Sequence, residues 1–458
     1  MPTVTTINPA TEEVLKEYNL MSQEQVLKIV TKSHEAFTKW RKLSIKERAA
    51  YFVKLAQILR KKKQEYGMLI TKEMGKPITE AISEVEKCAY LSEELSTHAA
   101  KWLEEEHVKA DGLEHLITFD PLGVIFIIMP WNFPFWQAFK VALPPLIAGN
   151  TIILKHARNV TGCSLAIEQS FREAGFPSDI FCSIVTDHQA TTTILENDLV
   201  AAASLTGSVG AGAQIGELCS KNIKKVVLEL GGSDPFIVLE DCDVEVAAKG
   251  AVLGRMMNAG QICISSKRII VHTKIAEKFT KRFVELVKEL TIGNPLDAKT
   301  KIGPLASKKA VEEMEMFVSD ATQKGAKVLC GGKRLNGIGF YFEPTVLANV
   351  NSQMNAVCQE VFGPIAPILV VKSDEEAIKL ANDSEFGLGG SIWTKDLEKA
   401  KKLARQIESG SIFINSITKS HPHLPIGGIK KSGFGRELSE YGIKEFVNIK
   451  AINVYEHK

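Results

Sequence analysis

A continuous apolar run, Val124-Ile125-Phe126-Ile127-Ile128, indicates the fold class of this chain. The run lacks the alternation of polar and apolar residues that marks a strand with one solvated face, so it predicts a parallel strand covered on both sides. Helical stretches lie between several such runs, for example after Thr161 and from about Lys274 to Leu290. This order predicts an α/β protein with doubly wound sheets. The other runs are Thr151-Ile152-Ile153-Leu154, Phe236-Ile237-Val238-Leu239 and Arg268-Ile269-Ile270-Val271.

Composition limits the classes of protein to which the chain can belong. It has 458 residues, 45% hydrophobic and 24% charged, as in a globular protein of two or three domains. The net charge of +2 gives no field that would attract nucleic acid or an anionic membrane. No apolar run reaches the roughly 18 residues of a transmembrane helix, and the N-terminus lacks a signal pattern. We therefore expect neither nucleic acid nor a membrane among its partners.

The eight cysteines indicate a reducing compartment, and the cytoplasm is the expected location. They form no C-x-x-C pair, and no histidine follows at the spacing of a zinc finger, so no metal site is predicted. In a reducing compartment the thiols persist, and one of them can serve as a nucleophile.

Two segments predict contacts between subunits. Residues 107–120 are short, polar and weakly patterned, as in a protruding hairpin arm. Residues 446–455 alternate loosely, which indicates a terminal strand. Because an exposed strand edge tends to pair with another chain, we expect an oligomer.

Three short segments place a reactive type of side chain beside a turn. Asn132 lies between two prolines in Met129-Pro130-Trp131-Asn132-Phe133-Pro134. It is either a turn residue whose side chain bonds to its own backbone or a donor to an oxyanion. Glu229 ends an apolar strand before two glycines. Because burying a carboxylate there is costly, Glu229 is either paired with another group or serves as a general base. Cys263 follows a glycine-bearing turn in Asn258-Ala259-Gly260-Gln261-Ile262-Cys263, as an inert buried residue or as a nucleophile.

A fourth segment, Thr206-Gly207-Ser208-Val209-Gly210-Ala211-Gly212, is rich in glycine. Gly210 and Gly212 begin the pattern G-x-G-x-x-G, but Ile215 occupies its last position, so the dinucleotide fingerprint is incomplete. A glycine-rich turn that leads into a helix can still offer backbone N–H groups to a pyrophosphate.

Together these segments resemble the aldehyde dehydrogenase superfamily, nearly from end to end. The chain is most similar to the microbial succinate-semialdehyde dehydrogenases, in residues 130–136, 154–157 and 229–236. Further matching motifs are Ile7-Asn8-Pro9-Ala10-Thr11, Glu73-Met74-Gly75-Lys76-Pro77, Glu360-Val361-Phe362-Gly363-Pro364 and Pro425-Ile426-Gly427-Gly428-Ile429-Lys430-Lys431-Ser432-Gly433.

The resemblance implies two doubly wound Rossmann-type domains and a small β oligomerisation arm, in a homodimer or homotetramer. It assigns residues 1–106 and 121–228 to the cofactor-binding domain and residues 229–432 to the catalytic domain. Residues 107–120 and 433–458 would form the oligomerisation arm and tail.

The resemblance also implies a mechanism for oxidising succinic semialdehyde, or a similar small semialdehyde, to the acid. Cys263 would attack the aldehyde as a thiolate, and Asn132 and the Cys263 backbone N–H would hold the oxyanion. Hydride would pass to NADP or NAD and leave a thioester on Cys263. Glu229 would then activate the water that hydrolyses the thioester.

The expected cofactor residues come from the same resemblance. Lys155 matches a contact to the adenosine ribose, Ser208 a contact to phosphate, and Glu360 a contact to the nicotinamide ribose, with Phe362 nearby. Arg158 stands where families that prefer NAD often have a glutamate. An arginine there either pairs with a 2′-phosphate or points to solvent, and we favour NADP. Further cofactor contacts are expected from Trp131, Gly207, Gly212 and Leu230.

The expected substrate contacts are Lys140, Ser420 and His423. Lys140 lies eight residues after Asn132, where similar enzymes often have an arginine, and it has either this role or a structural one. Ser420 matches a serine that contacts the substrate carboxylate, and His423 stands where close relatives often have an arginine.

Three other functions remain open from the sequence. An acylating enzyme would pass the acyl group to coenzyme A, or run backward as a succinyl-CoA or malonyl-CoA reductase; Glu229 argues for hydrolysis instead. A broad-specificity aldehyde dehydrogenase would lack a preference for a carboxylate. A non-catalytic structural protein with this fold is expected to lose one of the three catalytic residues, and all three are present.

Overall fold

A computed structural model describes residues 2–457. Within this range the helices are α1 (Gln23–Trp40), α2 (Ile45–Lys61), α3 (Lys63–Met74), α4 (Ile78–Trp102), α5 (Pro134–Ala148), α6 (Thr161–Glu173), α7 (Gln189–Glu196), α8 (Val209–Lys221), α9 (Val244–Met256), α10 (Thr273–Lys288), α11 (Lys308–Gln323), α12 (Asn355–Cys358), α13 (Asp374–Asn382), α14 (Leu397–Ala404) and α15 (Ser439–Ile443). The strands are β1 (Thr3–Ile7), β2 (Val14–Asn19), β3 (Glu106–His107), β4 (Glu114–Pro121), β5 (Val124–Met129), β6 (Thr151–His156), β7 (Phe181–Ile184), β8 (Val200–Thr206), β9 (Lys225–Glu229), β10 (Asp234–Val238), β11 (Ser266–His272), β12 (Lys327–Cys330), β13 (Thr345–Ala348), β14 (Ile365–Val371), β15 (Phe386–Gly387), β16 (Gly389–Trp393), β17 (Ser411–Ile414), β18 (Ile429–Lys430), β19 (Gly433–Phe434) and β20 (Val447–Val454). None of these helices is both long enough and apolar enough to cross a membrane.

Six of the described strands form one sheet, in the order β19-β9-β8-β5-β6-β7. The strands from β9 to β7 run parallel, and β19 is antiparallel to β9. On β5, Val124 and Phe126 face one apolar core while Ile125 and Ile127 face another. The strand is thus covered on both sides, which confirms the prediction made from its continuous apolar run.

Seven strands of the described chain form a second sheet, in the order β12-β13-β14-β11-β10-β16-β17. β12 is antiparallel to β13, and the other neighbours are parallel. The core against this sheet includes Phe279 and Phe283 of α10, a helix that the sequence predicts. The predicted α/β class with two doubly wound sheets is confirmed.

A smaller antiparallel sheet has the order β20-β4-β3. It contains the predicted terminal strand and the predicted arm, and β20 pairs along its whole length with β4. Ile449, Ile452 and Val454 of β20 are exposed, which leaves apolar side chains on an edge strand. The preceding strand β19 pairs instead with β9, at Glu229, in the six-stranded sheet.

Candidate active site

Two cavities meet at Cys263. The first is lined by residues of α4 and α5 and by residues 417–420, and the second by the loop after β5, the turn before α8 and Glu360. Of the eight cysteines, all within the described chain, Cys263 alone borders these two cavities. A thiol at this junction can contact ligands in both.

Three consecutive left-handed residues hold the turn before Cys263. Asn258 and Ala259 both have a φ of 51°, and Gly260 has a φ of 74°. This conformation is unfavourable for residues with a Cβ, so surrounding contacts must maintain it. Glu80 of α4 accepts the Asn258 N–H at 2.9 Å. The turn therefore sets the direction from which the chain enters the cavity junction.

Asn132 is fixed beside this turn. Its Nδ2 donates to the backbone carbonyl oxygen of Gln261 at 3.0 Å. The backbone carbonyl oxygen of Asn132 accepts from Asn258 Nδ2, also at 3.0 Å. The side chain is buried and lines the second cavity with Cys263. The second hydrogen on Nδ2 stays free to donate a hydrogen bond. It can donate to an oxygen on a carbon atom that is bonded to the Cys263 sulfur.

A buried ammonium group joins Glu229 to a second carboxylate. Lys140 Nζ lies 3.6 Å from Glu229 Oε2 and 2.6 Å from Glu437 Oε2, and all three side chains are at most 4% exposed. Burial alone would lower the pKa of Lys140, but the two carboxylates outweigh it and hold that pKa above its ordinary value. Neither Glu229 oxygen has a hydrogen-bond partner among the described residues. This carboxylate can therefore accept a proton from a nearby water.

This arrangement changes the interpretation of Lys140. The sequence predicts that Lys140 contacts substrate, and its side chain does line the first cavity. Its ammonium group, however, lies between Glu229 and Glu437, so we assign it to these carboxylates instead. Glu437 carries no signal in the sequence, because it is one acidic residue in a polar segment and its role depends on a long-range contact.

A second cation, Lys87 of α4, also lines the first cavity. Lys87 Nζ donates to Ser420 Oγ at 2.6 Å and lies 4.1 Å from the centroid of the Trp136 ring. Both Lys87 and Ser420 line the first cavity. Burial lowers the pKa of Lys87 to about 8, and a carboxylate beside it would favour its charged form. Ser420 thus lies in the cavity beside Lys87, a residue that the sequence did not single out, while its contact with a carboxylate stays a prediction.

His423 does not line either cavity that Cys263 borders. The Nε2–H of its exposed ring donates to the carboxylate of Glu94 on α4, and the ring meets His98 edge-on. The predicted role of His423 as a direct substrate contact therefore has no support in this geometry, because the chain turns outward after Ser420.

The surroundings of the Cys263 thiol set its reactivity. Burial raises its pKa well above the ordinary value, and the Glu229 carboxylate raises it further. The ammonium groups of Lys140 and Lys267 act in the opposite direction. Lys267 Nζ also donates to the Cys263 carbonyl oxygen at 2.6 Å, which ties this cation to the nucleophile's own backbone.

The second cavity collects most of the predicted cofactor residues. Glu360 accepts the Gly232 N–H at 3.0 Å, and Lys267 lies 3.4 Å from the same carboxylate oxygen. Ser208 caps the start of α8 by accepting the Ala211 N–H at 3.3 Å. The predicted residues that line this cavity are Trp131, Gly207, Ser208, Leu230, Glu360 and Phe362. Gly212 lies just behind it, where a Cβ would come within 2.6 Å of the Leu230 side chain.

Lys155 and Arg158 lie together at the end of β6, outside the lining of that cavity. Lys155 is buried, and Arg158 is exposed in the turn that follows. Burial lowers the pKa of Lys155, and the nearby Arg158 cation lowers it further. Two neighbouring cations at the end of a parallel strand suit a phosphate group.

Comparison with known proteins points to one family. The model of the aldehyde dehydrogenase family matches residues 2–452. A probable succinate-semialdehyde dehydrogenase [NADP(+)] of Synechocystis is 44% identical over 98% of this chain and 99% of its own length. A succinate semialdehyde dehydrogenase [NAD(P)+] of Escherichia coli is 42% identical over 97% of this chain and 96% of its own. The crystal structure of succinic semialdehyde dehydrogenase from Streptococcus pyogenes in complex with NADP+ is 37% identical, with a TM-score of 0.97 over 99% of this chain and 100% of that one.

The substitution Glu229→Gln is expected to shift the alkylation of Cys263 by iodoacetamide to lower pH. It removes a negative charge that raises the pKa of the thiol, so the thiolate forms at a lower pH than in the parent chain. The opposite shift, to higher pH, is expected for Lys140→Met. The measurement is the rate of Cys263 labelling against pH by peptide mass spectrometry, with the exposed Cys358 as internal reference. A Glu229→Gln labelling profile that coincides with that of the parent chain, or is shifted to higher pH, would contradict the assigned electrostatics.

Proposed function

The chain belongs to the aldehyde dehydrogenase family, and we propose that it oxidises succinic semialdehyde to succinate through a thioester on Cys263. The observation that carries this proposal is a cation and a hydroxyl group, Lys87 and Ser420, facing the cavity that Cys263 borders. A semialdehyde has an aldehyde at one end and a carboxylate at the other. The cavity offers the Cys263 thiol to the aldehyde, and the Lys87 ammonium group and the Ser420 hydroxyl group to the carboxylate. The substrate named for the similar proteins of Synechocystis and E. coli supports the same choice.

Acylation begins at the cavity junction. The ammonium groups of Lys140 and Lys267 favour the Cys263 thiolate, which adds to the aldehyde carbon. The carbonyl oxygen then becomes an oxyanion, and Asn132 Nδ2 and the Cys263 backbone N–H are placed to donate to it. Loss of hydride from this adduct leaves the thioester.

Hydrolysis of the thioester needs a base, and Glu229 supplies it. A water that attacks the thioester carbon gives a proton to the Glu229 carboxylate, whose oxygens have no hydrogen-bond partner among residues 2–457. The Lys140 ammonium group lies between this carboxylate and that of Glu437, so one cation is shared by two carboxylates and a proton taken up by Glu229 brings the cluster to electrical balance. Succinate and the free thiol are then released. Because the base is present, water rather than coenzyme A is the proposed acceptor of the acyl group.

The residues of the second cavity fit a nicotinamide dinucleotide. Because Gly212 has no Cβ, the Leu230 side chain can approach the start of α8. A Cβ on Gly231 would collide with the Glu360 carboxylate. The start of α8 offers backbone N–H groups to a pyrophosphate, and Glu360 offers oxygens to a ribose. The cofactor supplies the acceptor for the hydride when it is bound. We assign its binding to Trp131, Gly207, Ser208, Gly212, Leu230, Glu360 and Phe362.

NADP is the proposed preferred cofactor, with NAD as a second. Arg158 carries a cation near Lys155 at the end of β6, where a glutamate would repel a 2′-phosphate. The names of the similar Synechocystis and E. coli enzymes specify NADP(+) and NAD(P)+. Both agree with a site that accepts the phosphate.

We also propose that the enzyme is a cytoplasmic homodimer or homotetramer. The exposed apolar side chains of β20 need a covering partner, and an edge strand of a second copy would provide it. All eight cysteines are free in the described chain, as a reducing compartment requires.

Reduced-cofactor absorbance tests the proposed reaction. Succinic semialdehyde is supplied with NADP+ or NAD+, each with and without coenzyme A. We expect turnover without coenzyme A, faster with NADP+. A strict requirement for coenzyme A would contradict the hydrolytic role of Glu229, and turnover of uncharged aldehydes alone would contradict the substrate.

The substitution Lys87→Met is expected to raise the KM for succinic semialdehyde by about 10- to 150-fold, since hydrogen bonds to charged groups contribute about 1.5–3 kcal/mol. The KM for butanal, which lacks the carboxylate, should stay within about twofold of the parent value, as expected when no contact is lost. Lys419→Met is the matched control, because Lys419 lines the same cavity but is exposed. Equal losses for both aldehydes, or a loss confined to Lys419→Met, would exclude Lys87 as the carboxylate contact.

A further inference from the structure

A cluster of metal-binding side chains lies outside both cavities. Glu94 and His98 project from α4, four residues apart, and His423 reaches them from the segment after Ser420. One donor atom from each lies within 4.8 Å of the other two. His98 Nε2 is 3.5 Å from Glu94 Oε2, and His423 Nε2 bonds to that same oxygen.

We propose that Glu94, His98 and His423 form a binding site for a divalent transition-metal cation, with Zn²⁺ as the representative ion. Two imidazoles and one carboxylate are ligands that Zn²⁺ accepts, whereas Ca²⁺ and Mg²⁺ select oxygen ligands. Ligand atoms around tetrahedral Zn²⁺ lie about 3.3 Å apart, given bonds of about 2.0–2.1 Å. The observed spacing needs only small side-chain rotations to reach this arrangement. Three protein ligands leave the fourth position to water.

The two histidine rings are already held near the required orientation. Trp102 stacks on His98, with the ring centroids 5.7 Å apart, and meets the His423 ring edge-on, also at 5.7 Å. The backbone of His423 is fastened as well, since its N–H donates to His421 Nδ1 at 3.2 Å. Buried Pro422 accepts the Ser439 N–H at 2.8 Å. Such preorganisation reduces the conformational freedom that metal binding would otherwise remove.

The site is open to solvent. The side chains of His98 and His423 are 38% and 37% exposed, and that of Glu94 is 20% exposed. A hydrated cation can therefore reach all three without any movement of the backbone. In the absence of a cation, the Glu94–His423 hydrogen bond joins the two elements at this cluster, in addition to the Lys87–Ser420 hydrogen bond.

A cation here would fasten two walls of the first cavity to each other. Lys87 and the ligands Glu94 and His98 lie on α4, while Ser420 and His423 lie on the same short segment. Metal binding would thus order residues 417–426 beside the substrate contacts, without touching Cys263.

Zn²⁺ binding is measured by competition with a chromophoric chelator. The full chain carries Cys263→Ser, so that the active-site thiol takes no metal. We expect one Zn²⁺ per chain. His98→Ala should weaken binding by more than the roughly 10-fold cost of losing an outer-shell partner, and Glu94→Gln should weaken it too. His107→Ala, which changes an exposed histidine outside the cluster, should bind as the parent does.

Hydrogen exchange gives a second readout, independent of catalysis. Zn²⁺ should slow exchange in residues 417–426 of the parent but not of His98→Ala. Circular dichroism verifies that each variant is folded. If His98→Ala and Glu94→Gln bind Zn²⁺ as tightly as the parent, or the parent binds none, the cluster is an ordinary surface hydrogen bond and the proposal is wrong. Because neither readout uses aldehyde turnover, the result does not depend on the proposed reaction.

Discussion

The buried ammonium group of Lys140 is the contact on which the candidate site depends. Two carboxylates with almost no exposure, Glu229 and Glu437, approach it from β9 and from the segment after β19. Burying charges is costly unless they are paired, and removing the central cation would leave two uncompensated carboxylates. The pairing of β19 with β9 brings these elements together at Glu229. The cluster therefore combines a structural requirement with the position of the proposed base, Glu229.

Cys263 lies where the two cavities meet. The turn at residues 258–260 places Cys263 at their junction, so in the proposed reaction the aldehyde would approach the thiol from one cavity and the nicotinamide from the other. The cations around the cavities have different partners: Lys140 lies between Glu229 and Glu437, whereas Lys87 donates to Ser420. The proposed function therefore gives the carboxylate of the substrate to Lys87, while the predicted contact at Lys140 stays a prediction.

Local patterns in the sequence predict the fold well, because a buried parallel strand needs a continuous apolar run and little else. The strands at residues 124–128, 151–154, 236–239 and 268–271 are confirmed for this reason. The family match confirms the predicted aldehyde dehydrogenase, and the similar proteins confirm the resemblance to the succinate-semialdehyde branch.

The sequence does not reveal contacts that depend on distant segments. Lys87 and Ser420 are 333 residues apart, and Glu437 is a single acidic residue with no motif around it. His423 stands where the resemblance leads us to expect an arginine, but its ring lies at the surface and bonds to Glu94 of α4. The predicted domain boundaries and the roles of the individual site residues stay predictions.

In the proposed reaction, release of the acid from Cys263 depends on a water that Glu229 activates. The most direct measurement mixes Glu229→Gln with succinic semialdehyde and NADP+ and follows reduced cofactor in the first turnover. We predict a burst of one equivalent of reduced cofactor per active site, after which turnover stalls. Mass spectrometry should then find the succinyl group on the peptide that contains Cys263. Steady turnover at the parent rate, with no burst and no acylated peptide, would contradict it.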